Sequence, residues 1–127
     1  MTNCIEIKGL CKSYGDFTLR DVDLTVPGGS IMGLIGENGA GKTTTIKCLL
    51  GIARPDRGSI TVLGRDMAAC GAEIRQDIGV VLDECFYHDT LRPRDLSPIL
   101  APIYRGWDRE LYRDCLARYG LPENKLI

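Results

Sequence analysis

The sequence predicts an α/β fold: a buried strand that runs through a glycine loop into a helix, with an antiparallel β subdomain ahead of it. Three observations predict it. Gly36-Glu37-Asn38-Gly39-Ala40-Gly41-Lys42-Thr43 fits the pattern GxxxxGK[ST], with an apolar run before it and a helical run after it. Two strand-like segments, residues 3–10 and 18–26, precede that loop. Beyond residue 92, Pro93, Pro98 and Pro102 interrupt any long helix, so the chain turns from strand-rich to mixed helical.

Taken in order, the second segment alternates Leu19, Val22, Leu24 and Val26 with polar Asp21, Asp23 and Thr25, as a half-buried strand does. Tyr14-Gly15-Asp16 is a turn between the two strands, and Pro27-Gly28-Gly29-Ser30 closes the second. Residues 31–35 are short and apolar and read as a buried parallel strand feeding the loop. From Lys42 onward, Ile46, Leu49, Leu50 and Ala53 share one face of a helix. Arg54-Pro55-Asp56-Arg57-Gly58 is a turn, residues 59–63 a short strand and residues 68–76 a short helix. Residues 78–82 form a second buried-strand candidate. Residues 108–119 carry a stripe of Leu111, Tyr112, Cys115, Leu116 and Tyr119, with Asp108 as N-cap and Gly120 and Pro122 as the stop.

Composition narrows the functional classes. A net charge of −1 offers no basic surface, so direct nucleic-acid contact is not expected. The amino terminus lacks the basic and apolar regions of a signal peptide, and no apolar run approaches the ~20 residues that span a bilayer. A cytoplasmic chain, or one peripheral on the cytosolic face of a membrane, is the expectation. Cys4, Cys11, Cys48, Cys70, Cys85 and Cys115 form no CxxC pair, and only His88 would join them as a nitrogen ligand. Reduced, mostly buried thiols are expected rather than a zinc site.

The loop explains its own residue types. Its glycines let successive backbone N–H groups turn toward an anion where a Cβ would clash. The helix after it directs unpaired N–H groups and a positive dipole end at the same phosphates. Lys42 adds a charge for the β- and γ-phosphates, and the Thr43 hydroxyl suits Mg²⁺. Nucleoside triphosphate binding is the expectation, against the plainer reading of a glycine turn with an exposed lysine.

These residues together resemble the ATP-binding domain of ABC transporters, an α/β P-loop NTPase core with an antiparallel β subdomain. The resemblance is most specific at Lys12-Ser13-Tyr14-Gly15, Leu24-Thr25-Val26-Pro27-Gly28, the stretch from Gly33 to Thr44, and Pro55-Asp56-Arg57-Gly58-Ser59-Ile60. It implies a nucleotide site of Tyr14, Gly36, Glu37, Asn38, Gly39, Ala40, Gly41, Lys42, Thr43 and Thr44, with Lys42 as the catalytic residue and Tyr14 stacking on adenine. A turn tyrosine packing locally is the alternative for Tyr14.

Val80-Val81-Leu82-Asp83-Glu84 admits two readings. Alone, it looks like a Walker B strand, with Asp83 on Mg²⁺ and Glu84 activating water. Yet Asp83 follows Lys42 too soon, since the family's Walker B comes after a whole helical subdomain, and no LSGGQ-like signature precedes it. The position better resembles the family's Q-loop, with Asp83 where a glutamine is usual; a carboxylate still suits a hard cation. The implied metal ligands are Thr43 and Asp83.

The resemblance divides the chain into residues 1–91, the nucleotide-binding core with its β subdomain, and 92–127, the start of a helical subdomain truncated within it. An amino-terminal piece of a transport ATPase is therefore expected, working with a second copy of itself and a separate membrane permease and using ATP and Mg²⁺. The Asp83-Glu84 loop looks more like ABC-2-type exporters. Binding without turnover, or a soluble ABC ATPase outside transport, are the alternatives. His88 is expected to be exposed, and residues 124–127 to form an apolar tail without a partner.

Overall fold

The structure is a computed structural model that describes residues 2–37, 41–82, 87 and 89–127. The chain forms two compact units, Met1–Ile78 and Gly79–Ile127. In the first, β1 (Asn3–Tyr14) and β2 (Phe17–Pro27) make a long hairpin, followed by α1 (Lys42–Leu49), β3 (Arg57–Val62), β4 (Arg65–Asp66) and α2 (Met67–Gln76). The sheet order is β2-β1-β3-β4, and every pairing is antiparallel.

Strict alternation would send Ile7 and Leu10 to opposite faces of β1, yet both are buried. A register shift between them, with Gly9 at φ 59°, resets the alternation and turns both inward. The Gly9 N–H, freed from the ladder, donates to Asp23 Oδ1 at 2.7 Å. The core gathers Ile7, Leu10, Leu19, Ile60 and Val62 from the sheet, Cys48 from α1, and Met67 and Ile74 from α2. Each fully buried aliphatic side chain there contributes about 1.5–3 kcal/mol. The β3–β4 turn places Leu63 and Gly64 both at positive φ, the twist that suits a two-residue hairpin, and Leu63 N–H donates to Cys4 O at 2.8 Å.

Helix α1 presents a different face from the expected one. Thr45 and Cys48 are buried, with Leu49 and Ala53 packed beside the core, while Ile46 stays exposed. Cys48 packs with the core residues of the antiparallel sheet, and no described strand meets the Ile46 side. Both expected parallel strands are absent: residues 31–35 and 78–82 have no ladder, and Ile35 is 95% and Val81 98% exposed. A parallel strand needs neighbours on its edges and cover on both faces, and no other described segment pairs with either run.

In the second unit, α3 (Pro93–Leu100) begins with proline at its first position, where no N–H is required. Arg92 N–H donates to Asp95 Oδ2 at 2.8 Å, closing its start. The α4 helix (Arg109–Arg118) is capped by Asp108, which accepts from Leu111 N–H at 3.0 Å, and ends at Gly120 with φ 67°. Its inward face is narrower than the expected stripe: Leu116 is buried and Tyr112 half-buried, whereas Leu111, Cys115 and Tyr119 are exposed. Tyr112 OH donates to Pro93 O at 2.6 Å, and Trp107 Nε1 donates to Ser97 Oγ at 2.8 Å, with the two rings 5.3 Å apart. Burial, and then the neighbouring Tyr87, push the Tyr112 phenol up from its ordinary pKa.

The apolar side chains of the last residues stay open, with Leu126 55% and Ile127 41% exposed, but polar groups there are held. Asn124 Oδ1 accepts from Arg94 Nη1 at 2.8 Å, and Ile127 N–H donates to Leu91 O at 3.0 Å. Among the described cysteines all thiols are free, but only Cys48 is buried; Cys4, Cys11 and Cys70 are half-buried and Cys115 is exposed. The expectation of mostly buried thiols therefore fails, because Cys4 and Cys11 sit on sheet positions left open and Cys115 on the outer side of α4. Cys85 and His88 lie outside the described residues.

Two stability measurements follow. At Gly58, φ is 92° and a Cβ would stand 2.5 Å from Gly9 O, so Gly58→Ala is expected to destabilise by about 1–3 kcal/mol in denaturant unfolding. Asp108→Ala removes the α4 cap and is expected to cost about 1 kcal/mol in the same measurement.

Candidate functional site

The start of α1 is built by a glycine held from outside. Gly41 is the N-cap, at φ 100° and ψ 4°, a left-handed conformation that a side chain would strain. It is also buried: a Cβ there would stand 2.6 Å from Leu19 Cδ1 and 3.4 Å from Phe17 Cζ, both on β2. The Gly41 carbonyl accepts from Thr45 N–H at 2.9 Å and Thr45 Oγ1 at 2.8 Å, which pairs the buried hydroxyl and locks the first turn. No side chain caps this end, and no acidic residue stands in the first turn. Within that turn no carboxylate competes for the N–H groups and the positive helix end, the arrangement an anion requires.

Lys42 Nζ donates to Gly36 O, so the two ends of the loop are joined by the lysine. Thr43 is exposed and Thr44 half-buried on the same turn; Gly36 and Glu37 are exposed on the entering segment. Asn38, Gly39, Ala40 and Asp83 lie outside the described residues. The structure therefore brings Gly36, Gly41, Lys42, Thr43 and Thr44 into one neighbourhood.

Tyr14 ends β1 directly opposite Phe17 in the ladder, and Phe17 is the ring that approaches Gly41. The hairpin tip thereby carries the tyrosine to the side of the sheet on which α1 begins. The residue is 47% exposed, with Lys12 Nζ 5.2 Å from the ring centroid. Asp56 sits against this strand end: Oδ2 accepts from Ser13 N–H at 2.8 Å, Oδ1 lies 3.5 Å from Lys12 Nζ, and Asp56 N–H donates to Cys11 O at 2.8 Å. The Ser13 N–H bond, with lesser help from Lys12, holds the Asp56 carboxyl below the usual carboxylate range.

Sequence reasoning did not find Lys12, Asp56, Phe17 or Leu19 as parts of this site. The Pro55-Asp56 pair signalled a turn and a stretch of the resemblance, and nothing local announces that its carboxylate reaches back to β1. A cavity of about 580 Å³ lies elsewhere, at the carboxyl end of α1. It is lined by Cys48, Gly51, Arg54, Met67 and Arg75 among others and includes no expected site residue. An anion cradle of backbone N–H groups on an exposed helix start is an open surface, so a cavity is not the signature to look for. Desolvation pushes the Cys48 thiol up from its ordinary pKa, against the nearby Lys12 charge.

Known proteins resemble this chain over more than half of its length. The probable ribonucleotide transport ATP-binding protein mkl of Mycobacterium tuberculosis is 42% identical over 85 residues, 63% of this chain and 24% of that protein. The Nod factor export ATP-binding protein I of Sinorhizobium fredii is 46% identical over 78 residues, 61% of this chain and 23% of that protein. The methionine import ATP-binding protein MetN of Clostridium acetobutylicum is 38% identical over 82 residues, 61% of this chain and 26% of that protein. The chain thus spans about a quarter of the length of these curated relatives. A solved structure of an ATP binding subunit of an ABC transporter matches with a TM-score of 0.83 and 28% identity, over 97% of this chain and 54% of that one. The fold is that of an α/β P-loop ATPase with an antiparallel β subdomain, of which this chain carries a part. Because the ABC transporter family model matches residues 19–125, nearly all of the sequence including the glycine loop and α1, the chain belongs to the ABC transporter family.

Proposed function

We propose that this chain binds ATP as the phosphate-loop portion of an ABC transporter's ATP-binding subunit. The observation that carries the reading is the uncapped start of α1, seated on β2 through Gly41 and flanked by Lys42. Its N–H groups and the Lys42 ammonium would hold the β- and γ-phosphates, with Gly36, Glu37, Asn38, Gly39, Ala40, Gly41 and Thr44 completing the loop. To do so, the ammonium exchanges its Gly36 carbonyl for phosphate oxygen. Tyr14, exposed at the hairpin tip, would stack on adenine.

Thr43, an exposed residue on the first turn, carries a hydroxyl that fits a hard cation taking oxygen donors, and Asp83 would add a carboxylate. Bound Mg²⁺ would neutralise charge on the phosphates. Residues 1–91 would form the nucleotide-binding core and 92–127 the start of a helical subdomain. In the whole protein, two such subunits would close on ATP at the cytosolic face of a membrane and work a separate permease, with ATP hydrolysis resetting them. No helix of the described residues is long and apolar enough to cross a membrane. The relatives are named for both import and export, so the proposal is coupling to transport in either direction.

A second reading, binding without turnover by this chain alone, has its own support. The site residues among those described are a cation, hydroxyls and backbone N–H groups, with only the exposed Glu37 as a carboxylate. The resemblance gives Glu37 a binding role.

Three outcomes are expected. Lys42→Ala should weaken ATP binding about 10- to 100-fold by calorimetry, the scale of a lost charge-assisted hydrogen bond; unchanged affinity would remove the phosphate assignment. Tyr14→Ala should lose about fivefold for ATP and ADP alike, since adenine is common to both. A phosphate-release assay separates the two readings: release abolished by Glu84→Gln would make Asp83-Glu84 a Walker B pair, whereas binding with no release supports the second reading.

A further inference from the structure

We propose that Lys12 and Asp56 are positioning residues for Tyr14: the lysine ammonium closes one face of the ring, and the aspartate fixes the lysine, so that a nucleotide's base is received on the opposite face. This inference rests on the proposed stacking role of Tyr14 and adds the means by which the ring is prepared for it.

The geometry is a chain of contacts. Lys12 Nζ stands 5.2 Å from the Tyr14 centroid, within the ~6 Å range over which a cation is attracted to a ring face. The Lys12 side chain is only 16% exposed, so its stem lies against the protein, while the Asp56 carboxylate is 49% exposed. Asp56 binds three successive residues of β1: its N–H donates to Cys11 O at 2.8 Å, Oδ1 lies 3.5 Å from Lys12 Nζ, and Oδ2 accepts from Ser13 N–H at 2.8 Å. The Pro55-Asp56 turn is in this way stitched onto the strand end that bears Tyr14. Tyr14 as a whole remains 47% exposed with Lys12 beside it, which leaves surface for a base.

Two physical effects follow for a base placed there. A ring already held against a cation loses less freedom when the base arrives, which improves affinity without a new contact. The cation also draws π density toward itself, which lowers repulsion between the far face and an electron-rich purine. An exposed ion pair such as Lys12–Asp56 contributes little to folding by itself. Its effect should therefore appear in base-dependent binding and scarcely in stability.

The test uses the full chain with two probes, ATP and inorganic tripolyphosphate, titrated calorimetrically. Lys12→Ala is expected to weaken ATP binding about three- to tenfold and to leave tripolyphosphate binding unchanged. Lys12→Arg should restore the ATP affinity, because it keeps a cation over the ring. Lys12→Met retains the stem without the charge and serves if the alanine variant does not fold. Adding Lys12→Ala to Tyr14→Ala should produce no further loss. If Tyr14→Ala weakens ATP while Lys12→Ala and Lys12→Met do not, this inference fails and the stacking role stands. If Lys12→Ala weakens both probes alike, the lysine acts on phosphate and the inference is overturned. If Tyr14→Ala leaves ATP binding unchanged, the stacking role and the inference fall together.

Discussion

The contact between Gly41 and β2 is the constraint on which the rest depends. A helix start that offers its N–H groups to an anion must leave them uncapped, and an uncapped start is easily frayed. Here the missing cap is compensated from the other side. Gly41 adopts a left-handed backbone that packs directly on Leu19 and Phe17, and its carbonyl takes both donors of Thr45. The helix is held by its floor, and its N-terminal N–H groups remain free for use. Any side chain at residue 41 would remove both the conformation and the contact.

The same hairpin does a second task. Its bulge at Gly9 lets Ile7 and Leu10 share one buried face, which anchors β1 between β2 and β3. Its tip carries Tyr14, paired with the Phe17 that touches Gly41. Phosphate loop and ring are therefore referred to one rigid antiparallel sheet, although neither belongs to its core. The apolar runs 31–35 and 80–82 stand outside this scheme, exposed and without ladders, in a chain that spans 54% of the matched solved subunit.

Much of this was legible where the signal is local. The Tyr14-Gly15-Asp16 turn, the two strands, the start of a helix at Lys42 and the Asp108 and Gly120 ends of α4 each follow from a few neighbouring residues. What was not legible depends on long-range geometry. Residues 31–35 have the composition of a buried strand, but composition does not supply partners. Ile46 belongs to a helical stripe by periodicity, yet the sheet that exists meets Thr45 and Cys48 instead. The bulge between Ile7 and Leu10 defeats a period-two count. Asp56 reaches Ser13 and Lys12 across more than forty residues of chain, and a turn motif carries no trace of that reach. At the candidate site, the loop residues were readable from their spacing, and the residues that hold Tyr14 and Gly41 in place were not.

The most direct measurement is amide chemical-shift mapping of the ¹⁵N-labelled chain titrated with ATP. If the helix start on its β2 floor is the phosphate site, the largest shifts fall on Gly41, Lys42, Thr43 and Thr44, with a second group at Tyr14. Tripolyphosphate should reproduce the first group without the second. Shifts centred on Cys48, Gly51 and Gly71, around the cavity at the far end of α1, would contradict the assignment.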